Sequence, residues 1–228
     1  MYRPVLTRLA LRMGLLTMLA LIAACGGRPE ENEPRPLPEE QQELRPGVYG
    51  SEEFKPSLSF HVGKGWSSIP LESSDALQIA RGQTAGLGFA NVQQVYKPNR
   101  TGPPNLVDAP KDMVGWFQQH PYLQTSKPEP VTVGGVKGVQ FDVVVGDQPQ
   151  NYYTTCTSIV GTPNCVDLFR LSIGEPILLV EGDKAGVIVL EDVEGETVTI
   201  GFVSPASEFG ELAPEAQKVL ESVEWRGS

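Results

Sequence analysis

The chain of 228 residues carries 28 acidic and 18 basic side chains, a formal net charge of −10. This acidity argues against a nucleic acid partner and against adsorption to anionic lipid headgroups, because both are themselves negatively charged. The same charge keeps an ordinary domain in solution, which is a sufficient explanation for it.

The first 24 residues have the pattern of an export signal. Three arginines, Arg3, Arg8 and Arg12, precede an apolar run of twelve residues at 13–24. A helix needs about 20 apolar residues to cross a bilayer, so this run is too short to span and is typical of a signal peptide. Its removal would leave 15 basic against 28 acidic side chains, a net charge of −13.

The residues that end this run, Ile-Ala-Ala-Cys at 22–25, resemble the lipobox of bacterial lipoproteins. In that family the cysteine thiol receives a diacylglyceryl group and the peptide before it, here residues 1–24, is removed. Two acyl chains are enough for stable anchoring. The resemblance implies lipidation of Cys25, membrane lipid as a partner, and a location on the extracytoplasmic face of a membrane of the bacterial cell envelope. The alternative is an ordinary secretory signal with an incidental cysteine.

The composition changes abruptly after Cys25. Residues 26–47 contain five prolines and six glutamates but only two aliphatic side chains, Leu37 and Leu44. Such a segment is predicted to be disordered, and at about 3.1 Å per residue it could reach roughly 70 Å. We therefore expect residues 25–47 to be the lipidated cysteine and a disordered tether, and residues 48–228 to form a single globular domain.

The domain opens with strands. Residues 56–62 alternate apolar and polar side chains, which predicts a half-buried strand with His61 on its polar face. Trp66 follows on a glycine-rich bend, where its ring either plugs the end of a sheet or lines a shallow cleft. Residues 76–80 and 86–97 are typical of two further strands, the second weakened by glycines near its start.

The clearest helix lies within residues 108–120. Asp108 as N-cap and Pro110 in the first turn predict where it begins, and Pro121 ends it. Four side chains at helical spacing share one face, namely Met113, Trp116, Phe117 and His120. A stripe of this kind is more often core than a platform for a ligand.

The second half of the domain returns to strands. Residues 131–145 form the strongest hairpin pattern, with Gly134-Gly135 as its turn, and residues 166–204 predict four more strands. A closing helix follows, in which Pro214 is expected to start a second helical segment. Short connections predict antiparallel pairing, and the apolar helix stripes must cover a sheet face. The expected fold class is therefore α+β, an antiparallel sheet of about seven to nine strands with two main helices packed on it.

Two cysteines remain after Cys25. Outside the cytoplasm, Cys156 and Cys165 are close enough in sequence to predict a disulfide. The alternative is a metal or redox role, but the spacing is not C-x-x-C and neither histidine is near in sequence.

Three segments together resemble a known family. They are residues 60–70, which carry a strand and a Gly-Trp pair, the Gly-Gly hairpin at 131–145, and the closing helix at 213–225. Their order is similar to that in bacterial lipoproteins of the PsbP-like superfamily, including the LpqN-type lipoproteins of actinobacterial envelopes. The chain departs from that pattern where Gly63 and Lys64 replace the usual proline. The resemblance implies an α-β-α sandwich that serves as a binding or accessory module without enzymatic activity.

No catalytic motif is present in the sequence. It has neither the G-x-S-x-G nucleophile elbow nor a phosphate-binding loop, and the acidic turn at 191–196 lacks the register of a calcium loop. The two histidines, His61 and His120, are candidate bases, although each position favours a structural role. With Trp66 they are the candidate ligand-binding residues, and we expect no catalytic residue, no metal and no cofactor.

The sequence thus predicts a membrane-anchored extracytoplasmic lipoprotein. Its domain is expected to act as a non-enzymatic binding or accessory module for an envelope protein or an amphiphilic small molecule. The alternative function is an envelope hydrolase of unrecognised type, with His120 or the carboxylates at 191–196 as acid and base.

Overall fold

Sixteen strands and two α-helices make up the described part of the chain. The computed structural model describes residues 33–98, 105–149, 152–158, 164–174 and 176–226. The predicted signal peptide, Cys25 and the start of the predicted tether lie outside these residues. No helix within the described ranges is long and apolar enough to cross a membrane.

The strands and helices follow one another as β1 (Arg35–Pro36), β2 (Gly47–Ser51), β3 (Leu58–Val62), β4 (Trp66–Ser73), β5 (Ala76–Arg81), β6 (Ala85–Asn91), β7 (Gln94–Lys97), β8 (Asn105–Asp108), α1 (Met113–Gln119), β9 (Leu123–Thr125), β10 (Glu129–Val133), β11 (Val136–Val145), β12 (Cys165–Arg170), β13 (Pro176–Val180), β14 (Asp183–Val193), β15 (Glu196–Pro205), α2 (Phe209–Leu220) and β16 (Glu224–Trp225). A short 3₁₀ helix spans Thr155–Ser158.

A central antiparallel sheet of eight strands organises the fold. Its order is β10-β11-β14-β15-β6-β5-β4, and β9 pairs with the far end of β11. Two sheets of four strands accompany it, β1-β2-β3-β16 and β13-β12-β7-β8. The predicted antiparallel pairing is confirmed for the central sheet, but the fold is mainly β with some helix rather than a single sheet in an α+β domain.

Each face of the central sheet covers its own core. The first core lies between one face, α2 and the β1-β2-β3-β16 sheet, and Trp66, Phe89 and Ile200 are among its buried side chains. The second core lies between the other face, α1 and the β13-β12-β7-β8 sheet, and includes Phe117 and Phe141. Each outer layer of the fold therefore combines one helix with one small sheet.

The Gly-Gly hairpin forms as predicted. Gly134 and Gly135 connect β10 to β11 with φ of 57° and 81°, the left-handed conformation that a two-residue hairpin turn requires at both positions. A Cβ atom on Gly134 would lie 2.6 Å from the indole ring of Trp225. Only glycine satisfies both the turn and this contact.

The second half of the predicted tether belongs to the fold. Leu44 is 2% exposed in the first core, and its amide donates to the carbonyl of Trp66 at 2.8 Å. Arg35 and Pro36 pair with β2, and Leu37 packs against the same core. The compositional argument averaged over residues 26–47, whereas two buried or packed leucines, together with backbone pairing, place residues 33–47 on the domain.

Three local expectations are corrected. The residues predicted as one strand at 86–97 form β6 and β7, which belong to different sheets. Asp108 ends β8, and the N-cap of α1 is Asp112, whose carboxylate accepts from the amide of Gly115 at 2.6 Å. Pro214 lies inside a single helix. The carbonyl that it leaves without an intrahelical donor is that of exposed Gly210, where water can replace the missing hydrogen bond.

Candidate functional site

A cavity of about 400 Å³ separates the central sheet from the β12–β13 hairpin. Its floor is the second-core face of β5, β6, β15 and β14, and its roof includes Leu168, Ile177 and Leu179. Phe117 of α1 also lines it. The size is that of an ordinary small-molecule site, which in proteins spans about 300–1,000 Å³.

The floor of the cavity is rich in glycine and alanine, which the strand register aligns with three valines, a glutamine and a threonine. Glycines meet at its centre, where Gly88 of β6 pairs with Gly201 of β15. Three rows of paired residues cross the sheet, each with one residue from β5, β6, β15 and β14 in that order. The row nearest the β5–β6 turn is Ala80, Gly86, Val203 and Ala185. The middle row is Gln78, Gly88, Gly201 and Val187, and the last row is Ala76, Ala90, Thr199 and Val189. Because a side chain alternates in direction along a strand, all three rows face the same side of the sheet.

The opposite face of the same strands carries large side chains. Leu87, Phe89, Ile200 and Phe202 fill the first core, each at most 2% exposed. This contrast explains the cavity, because the side chains on the second-core face are too short to contact the β12–β13 hairpin. Gly201 illustrates this, because a Cβ added there would meet nothing within 4 Å.

A buried carboxylate ties the roof to the sheet. Asp75, at the turn between β4 and β5, accepts at 2.7 Å from both the amide and the hydroxyl of Ser172, which follows β12. Burial alone would raise the pKa of Asp75, but the hydrogen bonds from Ser73 and Ser172 lower it below its ordinary value. The ionised carboxylate thus fixes the distance between hairpin and sheet at this end.

Exposure falls along the cavity from one end to the other. Gln83 and Thr84, at the turn between β5 and β6, are exposed, and Gly86 beside them is partly exposed. At the other end Ala90 and Thr199 are buried, at 7% and 3% exposure. The cavity therefore opens near the β5–β6 turn and closes at the row that contains Thr199.

No charged side chain is among the described residues that line the cavity. The lining is apolar apart from Gln83 and Thr84 at the open end, Gln78 in the middle row and Thr199 at the closed end. Within the described part of the chain, the Thr199 hydroxyl and the Nε2 atom of His120 are the buried side-chain polar atoms without a hydrogen-bond partner. Such a lining favours an apolar chain and offers no acid or base for chemistry.

Trp66, one of the sequence candidates, lies in the first core. It is completely buried, its carbonyl accepts from Leu44, and the Arg81 guanidinium lies 5.6 Å from its ring centroid. Its ring is not part of the cavity lining. This placement fits the alternative in which the tryptophan packs the end of a sheet.

The two histidines occupy different surroundings. His61 is exposed on β3, where its amide is hydrogen-bonded to the hydroxyl of Ser222. His120 is 5% exposed at the end of α1, between the rings of Trp116 and Tyr122, and its Nδ1 accepts from the amide of Tyr122 at 3.3 Å. Burial lowers the pKa of His120 to about 4. Neither histidine lines the cavity, and the structure does not bring them together with Trp66.

Cys156 and Cys165 are joined by a disulfide, with Cα atoms 6.4 Å apart. Beside it, the backbone amide and the hydroxyl of Thr155 donate to Asp167, whose pKa is raised by burial. No group of three or more His, Cys, Asp or Glu side chains in the described ranges could hold a metal ion. Cys25, the predicted lipidation site, lies outside those ranges.

Sequence reasoning missed the cavity. It treated Gly86 and Gly88 only as residues that weaken a strand. The available signal was the alternation of small and large side chains at 86–90, which continues at 199–203. That pattern describes a strand with one face packed and one face left open.

The comparisons with known proteins give little more. No family model matches the sequence, and no curated protein matches it. Among solved structures, a crystal structure of LpqN, described as involved in cell envelope biogenesis of Mycobacterium tuberculosis, aligns with 82% of this chain and 91% of its own. The two share 13% identical residues with a TM-score of 0.36, a similarity too weak to carry an argument about this chain. Membership of the PsbP-like superfamily stays a prediction.

Proposed function

We propose that this protein is a lipid-anchored lipoprotein of a bacterial cell envelope whose domain binds the apolar part of an amphiphilic molecule in the cavity beneath the β12–β13 hairpin. The module is not an enzyme in this proposal. The observation that carries it is the open, uncharged cavity on a sheet face rich in glycine and alanine. The sequence at 22–25 supports the anchor.

The size of the cavity suggests the size of the ligand. A water molecule takes about 30 Å³ of liquid volume, so the cavity holds roughly thirteen such volumes. A methylene group occupies a similar volume, which corresponds to a chain of about a dozen carbons.

The expected affinity follows from burial. At about 0.8 kcal/mol for each buried methylene, a dozen carbons gain about 10 kcal/mol. Association itself costs at least about 4 kcal/mol. The remaining 6 kcal/mol or so corresponds to a Kd of tens of micromolar for a simple chain, and polar contacts by the headgroup would tighten it.

Filling the cavity tests the proposal. In Gly201→Val, a branched side chain enters the open space on the floor, at a position where a valine suits the strand. The matched control is Gly63→Val, because a Cβ added at Gly63 would also meet nothing within 4 Å, whereas Gly63 lies outside the cavity. The probe is a fluorescent dodecanoate, titrated into each purified domain.

We expect saturable one-to-one binding to the parent protein and to Gly63→Val, and binding at least about tenfold weaker to Gly201→Val, since the loss of two methylenes of space removes that much affinity. The melting temperatures of the variants should stay close to that of the parent. Equal binding by all three proteins, or no saturable binding by the parent, would refute the cavity as the binding site.

The anchor needs a separate test. The full chain and its Cys25→Ala variant are expressed in a bacterial host that is fed radiolabelled palmitate. The parent should carry label and sediment with the membranes, whereas Cys25→Ala should carry none. Label retained by Cys25→Ala would overturn the lipidation site without affecting the cavity.

A further inference from the structure

The carboxylate of Asp183 stands at the open end of the cavity, on the face that forms its floor. Asp183 begins β14 and pairs with Pro205 of β15, which adds one further row of paired residues beyond the row that contains Ala185. Asp183 comes two residues before Ala185, so the two side chains point to the same face of the sheet, about 7 Å apart along the strand. The open end of an apolar cavity thus has a charged group beside it.

Asp183 also lies at the corner where the roof of the cavity meets the floor. Leu179 of β13 belongs to the roof, and β13 ends one residue later. Only Glu181 and Gly182 then separate β13 from Asp183, and Gly182 has the positive φ of 94° that this tight connection uses. The opening is therefore bordered by Asp183 on one side and by the β5–β6 turn on the other.

The neighbouring basic side chains do not neutralise Asp183. Lys184 is the next residue along β14 and points to the opposite face, where its ammonium lies 2.7 Å from the carboxylate of Asp142. Arg81, at the end of β5, is paired with Glu215 of α2 at 3.7 Å. Within the described ranges Asp183 itself forms no ion pair. Its charge is available to a group that emerges from the cavity.

A second carboxylate lies across the opening. The hydroxyl of Thr84, which lines the cavity, donates to Glu208 at 3.3 Å. Glu208 is exposed, whereas Asp183 is partly buried, and this burial raises the pKa of Asp183 above its ordinary value. A cation placed beside Asp183 would offset the cost of that burial, and an anion would add to it. The opening therefore favours a positive charge.

We propose that the ligand is an amphiphile with a cationic ammonium headgroup, and that Asp183 forms an ion pair with this headgroup while the apolar chain occupies the cavity. This inference rests on the proposed function, since it requires a chain in the cavity. Glu208 adds to the attraction from the far side of the opening. An anionic headgroup would instead stand beside two like charges.

The experiment compares two probes that carry the same twelve-carbon chain and headgroups of opposite charge. Dodecyltrimethylammonium and dodecanoate are each titrated by calorimetry, below the concentration at which they form micelles, into the parent protein and three variants. Asp183→Asn removes the charge with little change of shape, and Asp183→Glu keeps it. The matched control is Glu191→Gln, because Glu191 is exposed on the same strand but about 26 Å from Asp183.

We expect the parent to bind the cationic probe more tightly than the anionic one. Asp183→Asn should bind dodecyltrimethylammonium roughly two- to fivefold more weakly, the effect of one partly exposed ion pair, and dodecanoate more tightly. A loss of packing would weaken both probes alike, so this change of opposite sign identifies the charge. Asp183→Glu and Glu191→Gln should keep the ratio of the two dissociation constants found for the parent.

Two outcomes contradict the inference without touching the cavity function. They are tighter binding of dodecanoate than of dodecyltrimethylammonium by the parent, and an unchanged ratio of the two dissociation constants in Asp183→Asn when both probes bind. If neither probe binds to the parent, the proposed function itself fails.

Discussion

The substitution His120→Asn should remove the acid sensitivity that a buried, neutral imidazole gives to this fold. His120 ends α1 and is 5% exposed, with its Nδ1 atom accepting from the amide of Tyr122. The side-chain oxygen of asparagine takes nearly the place of Nδ1 and can accept the same hydrogen bond, but asparagine does not titrate. The change therefore separates the charge of the imidazole from its contacts.

The magnitude follows from the pKa of His120, which burial lowers from 6.5 to about 4. Between these values the unfolded chain binds a proton that the folded chain does not, so stability falls as the pH falls. Each unit of pKa difference corresponds to about 1.36 kcal/mol, which gives about 3 kcal/mol lost between pH 7 and pH 4. This figure is the contribution of His120 to the loss of stability, without that of any other titrating group.

Urea unfolding at pH 7 and at steps down to pH 4 measures the effect. The parent should lose about 3 kcal/mol more free energy of unfolding over this range than His120→Asn. Asp167 and Asp183, whose pKa values are raised by burial, oppose the loss. Asp75, whose pKa is lowered because its hydrogen bonds outweigh burial, adds to the loss, and all three contribute equally in every variant. The matched control is His61→Asn, because His61 is exposed on β3. An identical pH dependence for the parent and His120→Asn would refute the assignment of a neutral, buried imidazole.

Three further changes test the fold. Leu44→Ala should lower the free energy of unfolding, measured in urea, by about 2–5 kcal/mol, because Leu44 is 2% exposed in the core. An effect below about 1 kcal/mol would contradict the assignment of residues 33–47 to the folded domain. Replacing both Cys156 and Cys165 by serine should cost about 2.7 kcal/mol from the entropy of the closed loop, seen as a lower urea midpoint. Gly134→Ala should destabilise by about 1–3 kcal/mol more than a substitution without a clash, because the added Cβ would overlap the Trp225 ring. Gly135→Ala is the matched control, since it also has positive φ but open space, and equal melting temperatures for the two variants would contradict the packing argument.

Local patterns predicted what local interactions determine. The hairpin at 131–145 was predicted because both the alternation and the Gly-Gly turn lie within a few residues of one another. The start of α1 was misplaced by four residues, from Asp108 to Asp112, because both aspartates precede an apolar stripe and a proline separates them. The pairing of Asp108 with Gln94 places Asp108 in a sheet, and that contact is not local.

The cavity could not be predicted because it exists only through pairing between distant strands. Gly88 and Gly201 become neighbours when β6 pairs with β15, and Thr199 acquires its apolar surroundings in the same step. The candidates that sequence reasoning chose instead, Trp66 and His120, are conspicuous residue types. The structure buries both, and neither lines the cavity. A sheet face rich in glycine and alanine is conspicuous only once the register is known.

The folded domain begins near residue 33 and not at residue 48, which shortens the distance that a lipid anchor at Cys25 would allow between the domain and the membrane. A disordered tether through residue 47 would let the domain reach roughly 70 Å from the membrane. Glu33 is already part of the compact unit, so only seven residues, 26–32, lie between it and Cys25, and the eight Cα-to-Cα steps span at most about 29 Å when fully extended. A domain of this size has a radius of gyration of about 16 Å, so the maximum length of this linker is smaller than the diameter of the domain. If Cys25 is lipidated, the domain would therefore remain beside its own bilayer, and under the proposed function its cavity would bind amphiphiles of that membrane.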